Sequence, residues 1–285
     1  MLLRSFLDYK VWDNGRIHIE RTDVAFAPES PRGSTVVIRT QAGERLAEYK
    51  FGDLYRVKEG VFGRMAPPGA AIHQLGLGKY QFDYVIGGKV VTSVPFSIVA
   101  DSVSEDPYAP KTTVRFVGPW QQWAYLATDS QNDKSGAAYV HFWAGRSDLP
   151  AGQRRSGYTI RVYRDGRLIA NSNPQTGHIA NDWMAHQREF LQVPHAAGQS
   201  HTARNVTMAD LAKPGAYKVT VELNDSKKII RTFHFSSASG QITPNPRTVL
   251  RYRPATDHVV PRAQYFNLGL YRFEPIHWIE ARPGS

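Results

Sequence analysis

Gly215-Ala216-Tyr217-Lys218-Val219-Thr220-Val221-Glu222-Leu223 places an apolar residue at every second position from Tyr217 onward. That period is a strand's, because successive side chains of an extended chain point to opposite faces. The same pattern stands earlier as Gly78-Lys79-Tyr80-Gln81-Phe82-Asp83-Tyr84-Val85-Ile86. Aligned without a gap, Tyr80 falls on Tyr217, Phe82 on Val219, Tyr84 on Val221, Phe96 on Phe233 and Ile98 on Phe235. Two copies so far apart are too few to stack as a solenoid, so they read as one hairpin used once in each of two domains. The chain of 285 residues is long enough for two well-buried cores.

Outward from the hairpins, short β-branched and aromatic runs recur at Ser34 to Thr40, Arg45 to Phe51 and Tyr55 to Phe62, punctuated by Gly43, Gly52 and Gly60. Gly87-Gly88 and Asp165-Gly166 are dipeptides suited to the positive φ of two-residue hairpin turns. Thr112 to Val117, Ala137 to Trp143 and Tyr158 to Ile169 are strand-like and are assigned to the second domain. Between Ile179 and Leu191 the spacing admits either a short helix or a loop leading into a strand. Thr207-Met208-Ala209-Asp210-Leu211 reads as a capped single turn at a sheet corner. The resulting division is an extended segment or edge strand over 1–33, a first sandwich over 34–105 and a linker over 106–111. A basic second sandwich over 112–238 and an arm over 239–285 complete it.

Leu211, Gly215, Tyr217, Val219 and Val221 resemble the tyrosine-corner region of immunoglobulin-like and fibronectin type III sandwiches, and Leu75, Gly78, Tyr80, Phe82 and Tyr84 are similar. The resemblance covers about a fifth of the chain and lacks the cysteine pair of antibody domains, since the sequence has no cysteine. It implies an all-β protein of two tandem immunoglobulin-like β-sandwich domains with extended N- and C-terminal segments. Such folds host adhesion, scaffolding, carbohydrate binding and accessory roles to enzymes, so function has to be argued from particular residues.

Charge is divided unevenly. Residues 1–110 carry 13 Lys and Arg against 13 Asp and Glu, 111–240 carry 16 against 9, and 241–285 carry 6 against 3, so the whole net charge of +10 lies in the second half. A positive field favours anionic partners: an acidic protein surface, anionic lipid headgroups or nucleic acid. Arg161, Arg164 and Arg167 cluster with Tyr163 around the Asp165-Gly166 turn, with Arg161 and Tyr163 on the solvent face. No recognised nucleic-acid motif accompanies them, which favours a solvated basic face or a protein contact over nucleic acid. The tail alternates prolines with aromatic and arginine residues, and Arg251, Tyr252, Arg253, Tyr271, Arg272 and Trp278 are of the types that form interface hot spots. The tail docks on a partner, covers the chain's own sandwiches, or is disordered.

Catalytic patterns are missing: the sequence has no Gly-x-Ser-x-Gly, no Gly-x-x-x-x-Gly-Lys and no His-Glu-x-x-His. His178, His186, His195 and His201, with Asp182 and Glu189, could gather round a metal only if loops brought them together, because their spacing suits neither a helix nor a strand. Trp120, Trp123 and Trp143 invite a sugar-binding platform, although tryptophan in a sandwich strand is usually core. The expectation is a non-catalytic binding or scaffold subunit with no metal and no cofactor. It would dock through its basic second sandwich and C-terminal arm onto a larger assembly, with an anionic membrane surface nearby. A carbohydrate-binding or adhesion module and a hydrolase, accessory or catalytic, are the alternatives. The absence of cysteine leans toward an extracytoplasmic setting, and the opening residues break too soon for a signal-peptide core.

Overall fold

The computed structural model describes residues 2–11, 16–27, 33–57, 60–66, 74–103, 112–118, 123–128, 136–146, 155–172, 177–180, 184–193, 204–243, 256–261 and 277–282. The protein is all-β, with several antiparallel pairings and, among these residues, one helix of a single turn. No described helix is long and apolar enough to cross a membrane. The chain divides into two units, Met1–Gln121 with Leu250–Phe273 and Gln122–Val249 with Glu274–Ser285.

The first unit contains β1 (Leu2–Val11), β2 (Ile17–Ala27), β3 (Thr35–Thr40), β4 (Arg45–Val57), β5 (Gly60–Ala66), β6 (Gln74–Leu75), β7 (Gly78–Ile86), β8 (Lys89–Val103), β9 (Thr112–Val117) and β20 (Thr256–Pro261). Their order is β20-β1-β2-β5-β4-β3-β7-β8-β9, with β6 on β2. All pairs are antiparallel except β1 with β20. Inward residues of β3, β7 and β8, among them Val36, Ile38, Phe82, Tyr84, Val94 and Phe96, are buried. Phe96 stacks on Phe82 at 4.3 Å and on Phe116 of β9 at 4.7 Å. The ring of Phe116 therefore joins this unit's aromatic core, and Thr112–Val117, whose sequence pattern suggests the start of the second domain, is a strand of the first unit paired with β8. Gly52 does not end a strand either: β4 runs through it as a bulge, with Phe51 opposite Met65 and Leu54 opposite Gly63. The linker at 106–111 lies outside the described residues.

The second unit contains β10 (Trp123–Thr128), β11 (Ala138–Ala144), β12 (Arg155–Arg164), β13 (Arg167–Asn171), β14 (His178–Ala180), β15 (Met184–Glu189), β16 (Leu191–Gln192), α1 (Met208–Leu211), β17 (Gly215–Leu223), β18 (Ile229–Ala238), β19 (Gln241–Thr243) and β21 (His277–Arg282). The order is β15-β11-β10-β21-β18-β17-β12-β13-β16. Phe142 of β11 meets Tyr158 of β12 edge to face at 5.8 Å and Phe233 of β18 at 6.0 Å, although β11 is hydrogen-bonded to neither strand. The sheet thus curls over one core that gathers Leu126, Val140, Ile160, Val219, Val221 and Ile279. Of the two readings open for 179–191, the strand holds, because Met184–Glu189 pairs with β11 along its length.

β21 alters the sequence-based picture of the tail. It lies between β10 and β18 and pairs with both, and Ile279 is buried in the core. The aromatic spacing that reads as an arm is, over His277–Arg282, the alternation of an interior strand. β20 likewise joins β1. The C-terminal segment therefore supplies one strand to each unit.

Candidate binding face

The repeat extends further than the sequence alignment and is shifted within it. Tyr80 pairs with Phe96 in the first unit and Tyr217 with Phe235 in the second, stacked at 5.3 Å and 4.5 Å. Phe96 therefore corresponds to Phe235, two residues beyond the gap-free match. The two extra residues lie in the turn, which is Gly87-Gly88 between Ile86 and Lys89 in one copy and Asn224 to Lys227 between Leu223 and Lys228 in the other. An insertion of two keeps every side chain on its original face, which is why the periodicity survived the misalignment.

Two register details strengthen the correspondence. The ladder slips between Tyr84 and Val85 in one hairpin and between Val221 and Glu222, the matching residues, in the other. Preceding strands match too: Thr40 faces Tyr80 as Arg164 faces Tyr217, and bulges follow Ile38 and Val162. Four strands, β4-β3-β7-β8 and β13-β12-β17-β18, thus share order, register and bulges.

Each copy carries a tyrosine anchored to backbone four residues upstream. The Tyr80 hydroxyl donates to the Gly76 carbonyl at 2.9 Å and the Tyr217 hydroxyl to that of Lys213 at 2.9 Å. Burial raises the pKa of Tyr217, opposed by Arg164, whose side chain hydrogen-bonds its hydroxyl. Below it, Thr207 caps α1 in a capping box with Asp210. Burial works to raise the Asp210 pKa, but Lys213 at 2.9 Å and Thr207 hold the carboxylate below its ordinary value, and Arg204 also donates to it at 2.9 Å. This is the capped corner expected from residues 207–211.

The outer face of the module separates the residues that the sequence groups together. Arg161 and Tyr163 point outward as expected: Arg161 pairs with Glu222 at 3.1 Å, and Lys218 sits over the Tyr163 ring at 4.8 Å. Arg164 does not join them, since its side chain packs beside Tyr217, where a Cβ on Gly215 would meet its Cγ at 2.8 Å. Arg167 is exposed beyond the turn, where Asp165 and Gly166 take φ of 49° and 81°. Sequence reasoning missed Lys218 and Glu222, which belong to β17 and reach this face only through the register Tyr163 to Lys218. Arg251, Tyr252, Arg253, Tyr271 and Arg272 lie outside the described residues, and Trp278 is placed by its backbone in β21.

At matching positions the first unit is built differently. Asp83, buried, accepts from Arg39 at 2.9 Å, from Ser93 at 2.6 Å and from Gln81 at 3.1 Å. By register Arg39 corresponds to Tyr163, Gln81 to Lys218, Asp83 to Thr220 and Ser93 to Thr232. One face satisfies its cation internally. The other replaces the acid with Thr220, whose buried hydroxyl has no hydrogen-bond partner among the described residues, and sets Arg161 and Lys218 against Glu222 there.

Histidine and tryptophan residues considered as ligand sites are placed elsewhere. His186 is buried in the core, stacked on Phe142 at 5.2 Å, with Nδ1 3.4 Å from the Tyr158 hydroxyl. Burial, then the nearby Arg188 charge, push its pKa down to about 3. His141 is on the opposite face of β11, stacked on Tyr125 at 4.4 Å, and burial pushes it down to about 3 as well. His195, His201 and Asp182 fall outside the described residues. Trp143 is buried, at 1% exposure, and so is not part of an exposed sugar platform. An open depression of about 410 Å³ beside α1 has His277 as its titratable lining residue among those described.

Comparison with protein-family models, with curated proteins and with solved structures finds no match.

Proposed function

We propose that this chain is a non-catalytic binding or scaffold subunit, built from two tandem immunoglobulin-like units, that docks on an acidic surface of a larger protein assembly. The shared four-strand module and the two anchored tyrosines support the immunoglobulin-like reading. The observation that carries the docking face is the difference between the copies. Where the first unit buries Asp83 among its own donors, the second presents Arg161, Tyr163 and Lys218 with, among the described residues, Glu222 as counter-charge. The Arg161–Glu222 pair is partly exposed, so it stabilises by only ~0–1 kcal/mol and is readily exchanged for a partner's carboxylate. Tyrosine and arginine also bring large contact area with a polar handle.

The test is affinity capture with the full chain. Tyr163→Ala/Lys218→Glu should lose a specific acidic partner that the wild type and Lys228→Glu, altered at an exposed turn lysine, both retain. The captured complex should weaken as salt rises. Equal capture by all three chains would remove this face from the proposal.

A further inference from the structure

Asp83 and Thr220 hold the same place in the two copies of the four-strand module, and their surroundings agree better than they do. Each stands between two inward residues of its strand, Phe82 and Tyr84 in one copy and Val219 and Val221 in the other, so each faces away from the core. Asp83 is buried among donors: Arg39 Nε at 2.9 Å, Ser93 Oγ at 2.6 Å, and Gln81 Nε2 at 3.1 Å from one carboxylate oxygen and 3.3 Å from the other. Ser93 reaches it as its direct cross-strand partner, and Gln81 because two residues along a strand is the same face.

The second unit repeats the donors and omits the acceptor. Thr232 is the cross-strand partner of Thr220, as Ser93 is of Asp83, and Lys218 precedes Thr220 by two residues, as Gln81 precedes Asp83. On the other side Thr220 faces Arg161, where Asp83 faces Val37. Hydroxyl, ammonium and guanidinium groups all donate, and the carboxylate that would draw them together is replaced by a hydroxyl. Thr220 is 3% exposed, and its Oγ1 has no hydrogen-bond partner among the described residues. An unpaired buried hydroxyl costs stability relative to an apolar group of the same shape, so the free chain has no use for it as a packing residue.

A bound acceptor gives it one. The acceptor chemistry is set by the first unit, which satisfies the matching donors with a carboxylate, and by Arg161, which already holds the Glu222 carboxylate at 3.1 Å while 38% exposed. Lys218 is exposed, with Nζ over the Tyr163 ring, so both cations are free to turn. We infer that the second unit recognises a carboxylate side chain of its partner, which takes over Thr220 the place that the Asp83 carboxylate has in the first unit. Thr220, Thr232 and Lys218 donate to it, and Arg161 turns from Glu222 to meet it. This rests on the docking reading above and narrows it from an acidic surface to a single acidic side chain.

The probe is tetra-aspartate, with tetra-asparagine as its uncharged control, titrated at low salt into the full chain carrying isotopically labelled threonine methyl groups. The methyl signals of Thr220 and Thr232, assigned by their loss in Thr220→Val and Thr232→Val, should move with the acid and stay with the amide. Thr220→Val deletes the hydroxyl alone: it should bind tetra-aspartate about threefold more weakly and unfold at no lower denaturant concentration than the wild type. Thr220→Asp places the acceptor within the chain, as in the first unit, and should weaken binding about tenfold or more by like-charge repulsion. Should Thr220→Asp fail to fold, Thr220→Val still decides. Wild-type affinity in Thr220→Val, or equal methyl shifts with both peptides, overturns the inference. If Tyr163→Ala/Lys218→Glu loses the acidic partner while Thr220→Val binds tetra-aspartate like the wild type, the docking face stands and the carboxylate position falls. If both bind like the wild type, both readings fall.

Discussion

At the residue scale the two anchored tyrosines make the sharpest comparison, because the same atom does the same thing in two sequences that otherwise differ. Each hydroxyl donates to a carbonyl four residues upstream, so Tyr→Phe removes a hydrogen bond while keeping the ring stack on Phe96 or Phe235. Tyr217→Phe should destabilise the second unit by about 1–2 kcal/mol, since its partner carbonyl and Arg164 are left without it in a partly buried corner. Tyr80→Phe, at a more exposed site, should cost the first unit less, about 0.5–1 kcal/mol. Chemical denaturation followed unit by unit checks both values, and equal losses would show that burial does not set the difference. Gly215, two positions before Tyr217, is constrained differently: its φ is +152°, and a Cβ there would lie 2.8 Å from Arg164 Cγ and from Asp165 Oδ2. Gly215→Ala should therefore cost about 1–3 kcal/mol and disturb the Asp165 carboxylate that accepts from the Ala216 N–H. The glycine and tyrosine of the Gly-x-Tyr pattern thus have separate physical reasons, clearance and anchoring.

Among the elements, β21 is the one whose role sequence and structure read most differently. Ile279→Ala removes a fully buried side chain from between two strands and should cost about 2–5 kcal/mol, read as a lower midpoint for the second unit's unfolding. Ending the chain before His277 should be harsher, leaving β10 and β18 unpaired, so a truncated protein that fails to bind partners would report unfolding rather than the loss of a docking arm. The hairpins were legible from sequence because alternation is local: Tyr217, Val219 and Val221 declare their shared face without reference to anything distant. The neighbours of a strand are not local. Nothing in His277 to Arg282 announces that Phe233 and Ala124 will flank it, and nothing in Thr112 to Val117 announces that Phe116 will stack on Phe96. The candidate face was half legible for the same reason. Arg161 and Tyr163 are two residues apart on one strand and share a face by arithmetic, whereas Lys218 joins them only through strand pairing. Phe96 and Phe233 were matched because a repeat aligned without gaps cannot register a longer turn, and the even insertion hid the slip.

For the whole molecule, the buried histidines among the described residues make the second unit sensitive to acid. His141 and His186 both belong to the second unit, both are buried, and burial holds each pKa near 3, below the ordinary 6.5. In the unfolded chain each binds a proton as the pH falls below about 6.5, while in the folded chain each stays neutral until about 3. Their contribution to stability is therefore complete above pH 6.5 and is lost as the pH falls toward 3. At pH 5.5 the loss is on the order of 1 kcal/mol per histidine relative to neutral pH, and the two add. Asp210 adds to the same trend at lower pH, because its depressed pKa is stabilising only while the carboxylate is ionised. Calorimetry from pH 7.5 to 5 should accordingly show the second unit's transition moving down faster than the first's. In His186→Phe, which keeps an aromatic ring against Phe142, the second unit's slope should fall by about half. If the two transitions moved together, or the variant kept the wild-type slope, acid sensitivity would have to arise from groups other than His141 and His186.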